Sequence, residues 1–190
     1  VYKRQGYEYT NDKGEKKKGY FRYWAPGRVI EHDGKFYLYV TFVKPGDKMG
    51  TYVLVADRPE GPFRFTEGKG LFVSGEEVDS PAIINDIDGE PFIDDDGTGY
   101  IFWRRRNAAR LSADRLHLDG EPVTLKTARQ GYSEGPLMFK RKGIYYYLYT
   151  IGGDERYQYA YVMSKVSPLG PYEYPEQDIV STCLLYTSPS

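Results

Sequence analysis

The chain has 190 residues, enough for one domain with a real core, and its 26 basic and 27 acidic side chains leave a formal net charge of −1. That balance argues against a nucleic-acid partner, which needs a concentrated basic face, and no stretch is apolar enough to span a bilayer as a helix. A single Cys excludes an internal disulfide and a Cys-based zinc site, and His32 and His117 lie far apart in turn-like sequence, which argues against a His-based metal site.

In chain order, VYKRQ at the start and CLLYTSPS at the end resemble translated sequencing-adapter sequence. Residues 1–5 and 182–190 are therefore expected to be tails, Cys183 among them, around a native segment 6–181 that is open at both ends. A signal peptide lost with a true N-terminus would leave no trace here. The basic runs Lys16–Lys18 and Arg104–Arg106 are short and read as solvated loops. Strand-length apolar or aromatic runs recur at 28–30, 36–42, 51–56, 91–93, 100–103, 137–139, 144–150 and 159–164. Between them stand explicit turns: His32-Asp33-Gly34-Lys35, Asp95-Asp96-Gly97-Thr98 and Arg141-Lys142-Gly143 each put Gly where a hairpin needs positive φ. The 20 Tyr, 9 Phe and 2 Trp suit strands, and Tyr also suits a surface that stacks on sugar rings. No segment sustains a helical period, so the expected fold class is all-β.

Three segments align without gaps on a shared glycine: WAPGRVIEHDGKFYLY, IDGEPFIDDDGTGYIF and SEGPLMFKRKGIYYYL. Each Gly (Gly34, Gly97, Gly143) is followed three residues later by Tyr, and nine residues before it stand Ala25, Asp88 and Glu134. A second match, TYVLVADRPEGPFRFT with AYVMSKVSPLGPYEYP, keeps the offset of 109 that separates Gly34 from Gly143. The middle unit ends differently, in AARLSADRLHLDGEP. Units of about four strands with a period near fifty residues predict propeller blades rather than a sandwich. In a propeller the first strand of each blade lines the channel, so Asp88 and Glu134 are expected at one mouth of it, as a carboxylate pair for acid–base work. Asp86 competes with Asp88 but falls two positions out of register. Asp94, Asp95 and Asp96 form a denser acidic cluster in the hairpin turn at the other end of the strand, without the spacing and closing Glu of a twelve-residue calcium loop. Taken singly, Glu134 reads better as a solvated loop carboxylate, Asp88 as a turn cap and Trp24 as a core residue.

Three motifs together resemble glycoside hydrolase family 43, the five-bladed propeller arabinofuranosidases, β-xylosidases and endo-arabinanases. Trp24-Ala25-Pro26 is similar to the family's Trp-Ala-Pro segment, Ile87-Asp88-Gly89 to its Ile-Asp-Pro segment with Gly89 in place of proline, and Ser133-Glu134-Gly135-Pro136 to its Glu-Gly-Pro segment. The resemblance spans about residues 20–174 and implies an incomplete propeller of about three blades. It implies Glu134 as general acid, Asp88 as the carboxylate that holds the acid's proton and orients it, and Trp24 as a wall of the sugar subsite. Two neighbouring carboxylates do not both ionise cheaply, which agrees with that division. The family inverts configuration with a third carboxylate, an Asp of the first blade, as base. Glu8 and Asp12 precede the Trp-Ala-Pro motif but follow no first-blade strand pattern, so the base is expected to be absent and the fragment inactive or nearly so, with exposed blade edges prone to aggregate. The implied partner is an oligo- or polysaccharide containing arabinose or xylose, with no nucleic acid and no membrane. The resemblance implies secretion or a periplasmic location and no cofactor, while leaving room for a central calcium ion in a full-length propeller. A non-catalytic sugar-binding propeller is the alternative. Invertase-type propellers fit less well, because they use Arg-Asp-Pro and Glu-Cys segments.

Overall fold

The computed structural model describes residues 6–10, 13–20, 22–44, 48–66, 80–152 and 157–182. The expected tail at 1–5, residues 183–190 of the expected tail 182–190 with Cys183 among them, and Asp12 lie outside the described residues, while Thr182 is the last residue of a strand. Two units divide the chain, residues 1–89 and 90–190. The described residues are all β-structure and turns apart from one 3₁₀ turn, Arg104–Arg106.

The first unit opens with a hairpin, β1 (Gly6–Thr10) against β2 (Lys16–Tyr20), in which Glu8 sits opposite Lys18. The Lys16–Lys18 run is thus a strand and not the solvated loop expected of it; alternating side chains on a strand let lysines reach water without leaving the ladder. A three-stranded antiparallel sheet follows: β3 (Arg22–His32), β4 (Lys35–Lys44) and β5 (Lys48–Ala56). Val55 and Arg64 exchange both backbone hydrogen bonds, so the segment after the Gly61–Pro62 turn adds a short fourth edge. Val40, Phe42, Tyr52 and Leu54 form the core of this unit, with Phe65 edge-on to Tyr52.

The second unit contains two four-stranded antiparallel sheets. One runs β6 (Glu90–Ile93), β7 (Gly99–Trp103), β8 (Asn107–Leu111), β9 (Leu118–Thr124), so the divergent AARLSADRLHLDGEP segment is itself the outer hairpin. The other runs β10 (Leu137–Arg141), β11 (Ile144–Ile151), β12 (Gln158–Ser164), β13 (Ile179–Thr182). Every residue of β7 is buried, whereas β11 alternates: Tyr145, Tyr147, Tyr149 and Ile151 go inward while Ile144, Tyr146 and Leu148 stay half-exposed. The inward tyrosines meet Phe92, Tyr100 and Phe102 of the neighbouring sheet in one core. Ring centroids lie 5.6 Å apart for Phe102–Tyr147 and 5.7 Å for Tyr147–Tyr149. Each such pair is worth about 0.5–1.5 kcal/mol beyond the area it buries. In this unit Tyr100, Tyr145, Tyr147 and Tyr149 are core packing.

Two ionic contacts tie this unit together. Asp94, at the β6–β7 turn, accepts from Lys140 Nζ at 2.8 Å and from the Tyr145 hydroxyl at 2.6 Å, both on the other sheet. The acidic hairpin turn therefore serves as a sheet-to-sheet lock. Burial alone would raise the Asp94 carboxyl, but the bonds from Lys140, Tyr145 and the Asp95 amide outweigh it and hold it below the usual value. Asp178, buried just before β13, takes a bidentate pair from Arg129 Nε and Nη2, both at 2.7 Å. That pair holds its carboxyl down as well.

A carboxyl depressed in the folded state stabilises it above the unfolded value, 3.8, and loses that contribution as pH falls through the folded value. Melting temperature should therefore hold from neutrality to about pH 5, by the usual carboxylate range, and drop steeply below the unfolded value. Asp94→Asn should lower the melting temperature at pH 7 by a few degrees and flatten the acid decline, as followed by circular dichroism.

Candidate active site

Trp24 lies on β3 directly opposite Thr41 of β4, and Thr41 lies directly opposite Thr51 of β5. Both threonines are fully buried. A buried hydroxyl in the middle of a sheet must find partners outside the ladder, and these find the loop 84–89. Thr41 Oγ1 accepts the Asp88 amide at 3.0 Å. Thr51 Oγ1 accepts the Gly89 amide at 3.2 Å and donates to the Asp86 carbonyl at 3.0 Å. The backbones of Trp24 and Asp88 are thus brought together through one residue, Thr41. Asp86 points its carboxylate back to the Ile87 amide at 2.9 Å, as a turn-former does.

Two glycines make this approach possible. A Cβ on Gly89 would stand 2.5 Å from Thr51 Cγ2, and one on Gly27 would stand 2.5 Å from the Tyr39 carbonyl oxygen and 2.8 Å from that of Gly89. Irregular pairing of β3 around Ala25, itself at φ 35°, opens the space Gly27 occupies. Asp88 adopts φ 64°, a left-handed conformation that a following proline disfavours. Gly89 in the place of proline is therefore what this loop requires: it supplies the amide that Thr51 accepts and leaves Asp88 free to turn.

Glu134 belongs to the other unit, three residues before β10. Its backbone is clasped by buried Thr150 of β11, whose hydroxyl accepts the Glu134 amide at 2.7 Å and donates to its carbonyl at 2.8 Å. Its side chain is half-buried, and Oε2 accepts a hydrogen bond from Tyr132 Oη at 2.5 Å. Partial desolvation of an otherwise exposed ring, then the neighbouring carboxylate, push the Tyr132 phenol up to about 12.

The loop before Glu134 is fastened almost residue by residue. Leu125 donates its amide to the Arg106 carbonyl at 2.8 Å, Thr127 Oγ1 donates to the Arg129 carbonyl at 2.7 Å, and Arg129 is held by Asp178. Arg106 Nη2 reaches the Gly131 carbonyl at 2.9 Å and the Arg105 amide reaches that of Ser133 at 2.8 Å. The Arg104–Arg106 run is thus a built turn with Arg106 buried, not the solvated loop expected from its charge. Arginine can be buried this way because its long stem is apolar and its planar head donates to backbone oxygens.

Sequence reasoning missed Tyr132, Thr41, Thr51 and Thr150. A signal for two of them was present: Thr41 and Thr150 each stand seven residues after the hairpin glycine of their segment, and the same offset of 109 relates them. Arg104 takes that position after Gly97. Glu8 lies in β1 opposite Lys18. Among the described residues no three His, Cys, Asp or Glu side chains come together as a metal site.

A family model for glycosyl hydrolases family 43 matches residues 2–186. Among curated proteins, a β-D-galactofuranosidase of Aspergillus niger is 35% identical over 162 residues, covering 78% of this chain and 45% of its own length. An arabinoxylan arabinofuranohydrolase of Bacillus subtilis is 31% identical over 184 residues, covering 80% of this chain and 33% of its own. Among solved structures, one described as a glycoside hydrolase superposes with a TM-score of 0.76 at 50% identity, over 85% of this chain and 36% of its own. This chain thus spans less than half the length of each. The all-β fold is that of the five-bladed β-propeller, of which the sheets described here make up part.

Thr41→Val and Thr150→Val keep the side-chain shape but leave a buried amide without its acceptor, which costs about 1–3 kcal/mol each. Restoring the proline with Gly89→Pro should destabilise the chain by about 3 kcal/mol or more rather than stabilise it, because it removes a bonded amide and meets Thr51. Urea denaturation of the three variants checks both statements.

Proposed function

The chain belongs to glycosyl hydrolases family 43, and on that premise we propose that it is part of a glycosidase acting on arabinose- or xylose-containing polysaccharides. Glu134 acts as general acid: its carboxyl proton passes to the glycosidic oxygen as the bond to the anomeric carbon breaks, and the electron pair of that bond stays with the leaving oxygen. Asp88 holds and orients that proton, and Trp24 offers a flat face on which the cleaved sugar ring stacks. The observation that carries the reading is the fixed backbone of both acids. Each sits on a buried threonine hydroxyl rather than on a free loop, as acid catalysis within about half an ångström of productive geometry requires.

Inversion needs a second carboxylate, about 6.5–9.5 Å from the acid, to activate water. No residue of this chain is proposed for that role. The galactofuranosidase relative shares a furanose ring with arabinofuranosides, so the sugar at the subsite is proposed as a furanose or xylopyranose and no narrower.

Arabinoxylo-oligosaccharides should bind the 190-residue chain and perturb the Trp24 indole signal in NMR titrations, with Trp24→Ala weakening binding roughly tenfold, about 1.4 kcal/mol. Release of pentose from aryl arabinofuranosides and xylosides by the same chain should stay at or near background. Strong turnover would contradict placing the base elsewhere, and failure to bind any pentose oligosaccharide would contradict the reading as a whole.

A further inference from the structure

We propose that Tyr132 is a positioning residue for Glu134, its hydroxyl holding the carboxyl group in one rotamer and leaving Oε1 as the oxygen that carries the transferable proton. The catalytic consequence rests on Glu134 being the general acid; the contact itself does not.

The geometry around Tyr132 is built for a fixed donor. The carbonyls on either side of it, Gly131 and Ser133, are pinned by the Arg106 guanidinium and the Arg105 amide. Two residues on, the Glu134 backbone is clasped at both its amide and its carbonyl by Thr150. With the main chain held before and after, the phenol and the carboxyl have little freedom except about their own side-chain bonds. The 2.5 Å contact between Tyr132 Oη and Oε2 removes most of what is left.

A phenol raised to about 12 stays protonated wherever a carboxyl titrates, so it is a donor to Oε2 in both states of Glu134. When Glu134 is protonated, Oε2 is the carbonyl oxygen of the acid and the proton sits on Oε1. As the Oε1–H bond breaks and a new O–H bond forms on the leaving oxygen, the electron pair remains on the carboxylate. The Tyr132 bond then gains an ionised acceptor, and such bonds are about twice as strong as neutral ones. An interaction stronger after proton transfer than before it favours the transition state over the ground state. Tyr132 was invisible to motif reasoning because it precedes the Ser-Glu-Gly-Pro segment and 19 other tyrosines serve as its background.

The test uses the 190-residue chain labelled with ¹³C and ¹⁵N, with Tyr132→Phe and Glu134→Gln as variants and the amide spectrum as the check on folding. The Tyr132 Cζ resonance should begin to ionise at a lower pH in Glu134→Gln than in the wild-type chain. Three-bond couplings should report one Glu134 side-chain rotamer in the wild type and averaging in Tyr132→Phe. An unchanged Tyr132 titration in Glu134→Gln, or single-rotamer couplings kept in Tyr132→Phe, would overturn the proposal. Neither readout needs turnover, so a failure here leaves the general-acid reading standing. Should Tyr132→Phe not fold, the Glu134→Gln arm still decides whether the contact exists.

Discussion

A backbone amide taken out of water needs an acceptor, and in a propeller blade the sheet's own carbonyls are already committed to the ladder. The anchoring of the loops that carry Asp88 and Glu134 follows from where the spare acceptors come from. They are three buried threonine hydroxyls: Thr41 and Thr150 on interior strands of their sheets, and Thr51 on β5, the outer strand beside Thr41. Thr41 and Thr51 face each other across β4 and β5 and take consecutive amides, Asp88 and Gly89. Thr150 takes the amide of Glu134 and returns a bond to its carbonyl. Loops that would otherwise be mobile connections are thereby fixed to the most rigid elements available.

The consequence is a division of labour between hydrogen bonds and charge. Neutral hydroxyls, not charged side chains, accept the backbone amides of the two candidate residues. The strong ionic contacts lie elsewhere. Asp94 with Lys140 joins two hairpin ends, and Arg129 with Asp178 fastens the loop upstream of Glu134. Arg106 spends one donor on the Gly131 carbonyl and so shapes the loop.

Much of this fold was legible in the sequence because its signals are local. Hairpin glycines, Asp-Gly turns and alternating tyrosines each act within a few residues, and the strands stand where those signals place them. Two charged runs misled for a shared reason: charge says that a head group must be satisfied, not that the backbone beneath it is irregular. Lys16–Lys18 became a strand, and Arg104–Arg106 a tight turn with Arg106 buried. The gapless repeat put Asp88 and Glu134 at one position, yet their anchors differ. Glu134 is held by the second strand of its own sheet, while Asp88 is held by the sheet that precedes it in the chain. Alignment registers position within a unit and cannot register which sheet supplies the acceptor. The threonines escaped notice because Thr is common in strands, and only the shared offset from Gly34 and Gly143 marks them.

Native-state amide hydrogen exchange on the 190-residue chain tests the central claim most directly. If the threonine hydroxyls hold these loops, the Asp88 and Glu134 amides exchange as slowly as the interior ladder amides of β4 and β11, although both residues lie outside any strand. Exchange at the rate of an open loop at either amide would contradict the account.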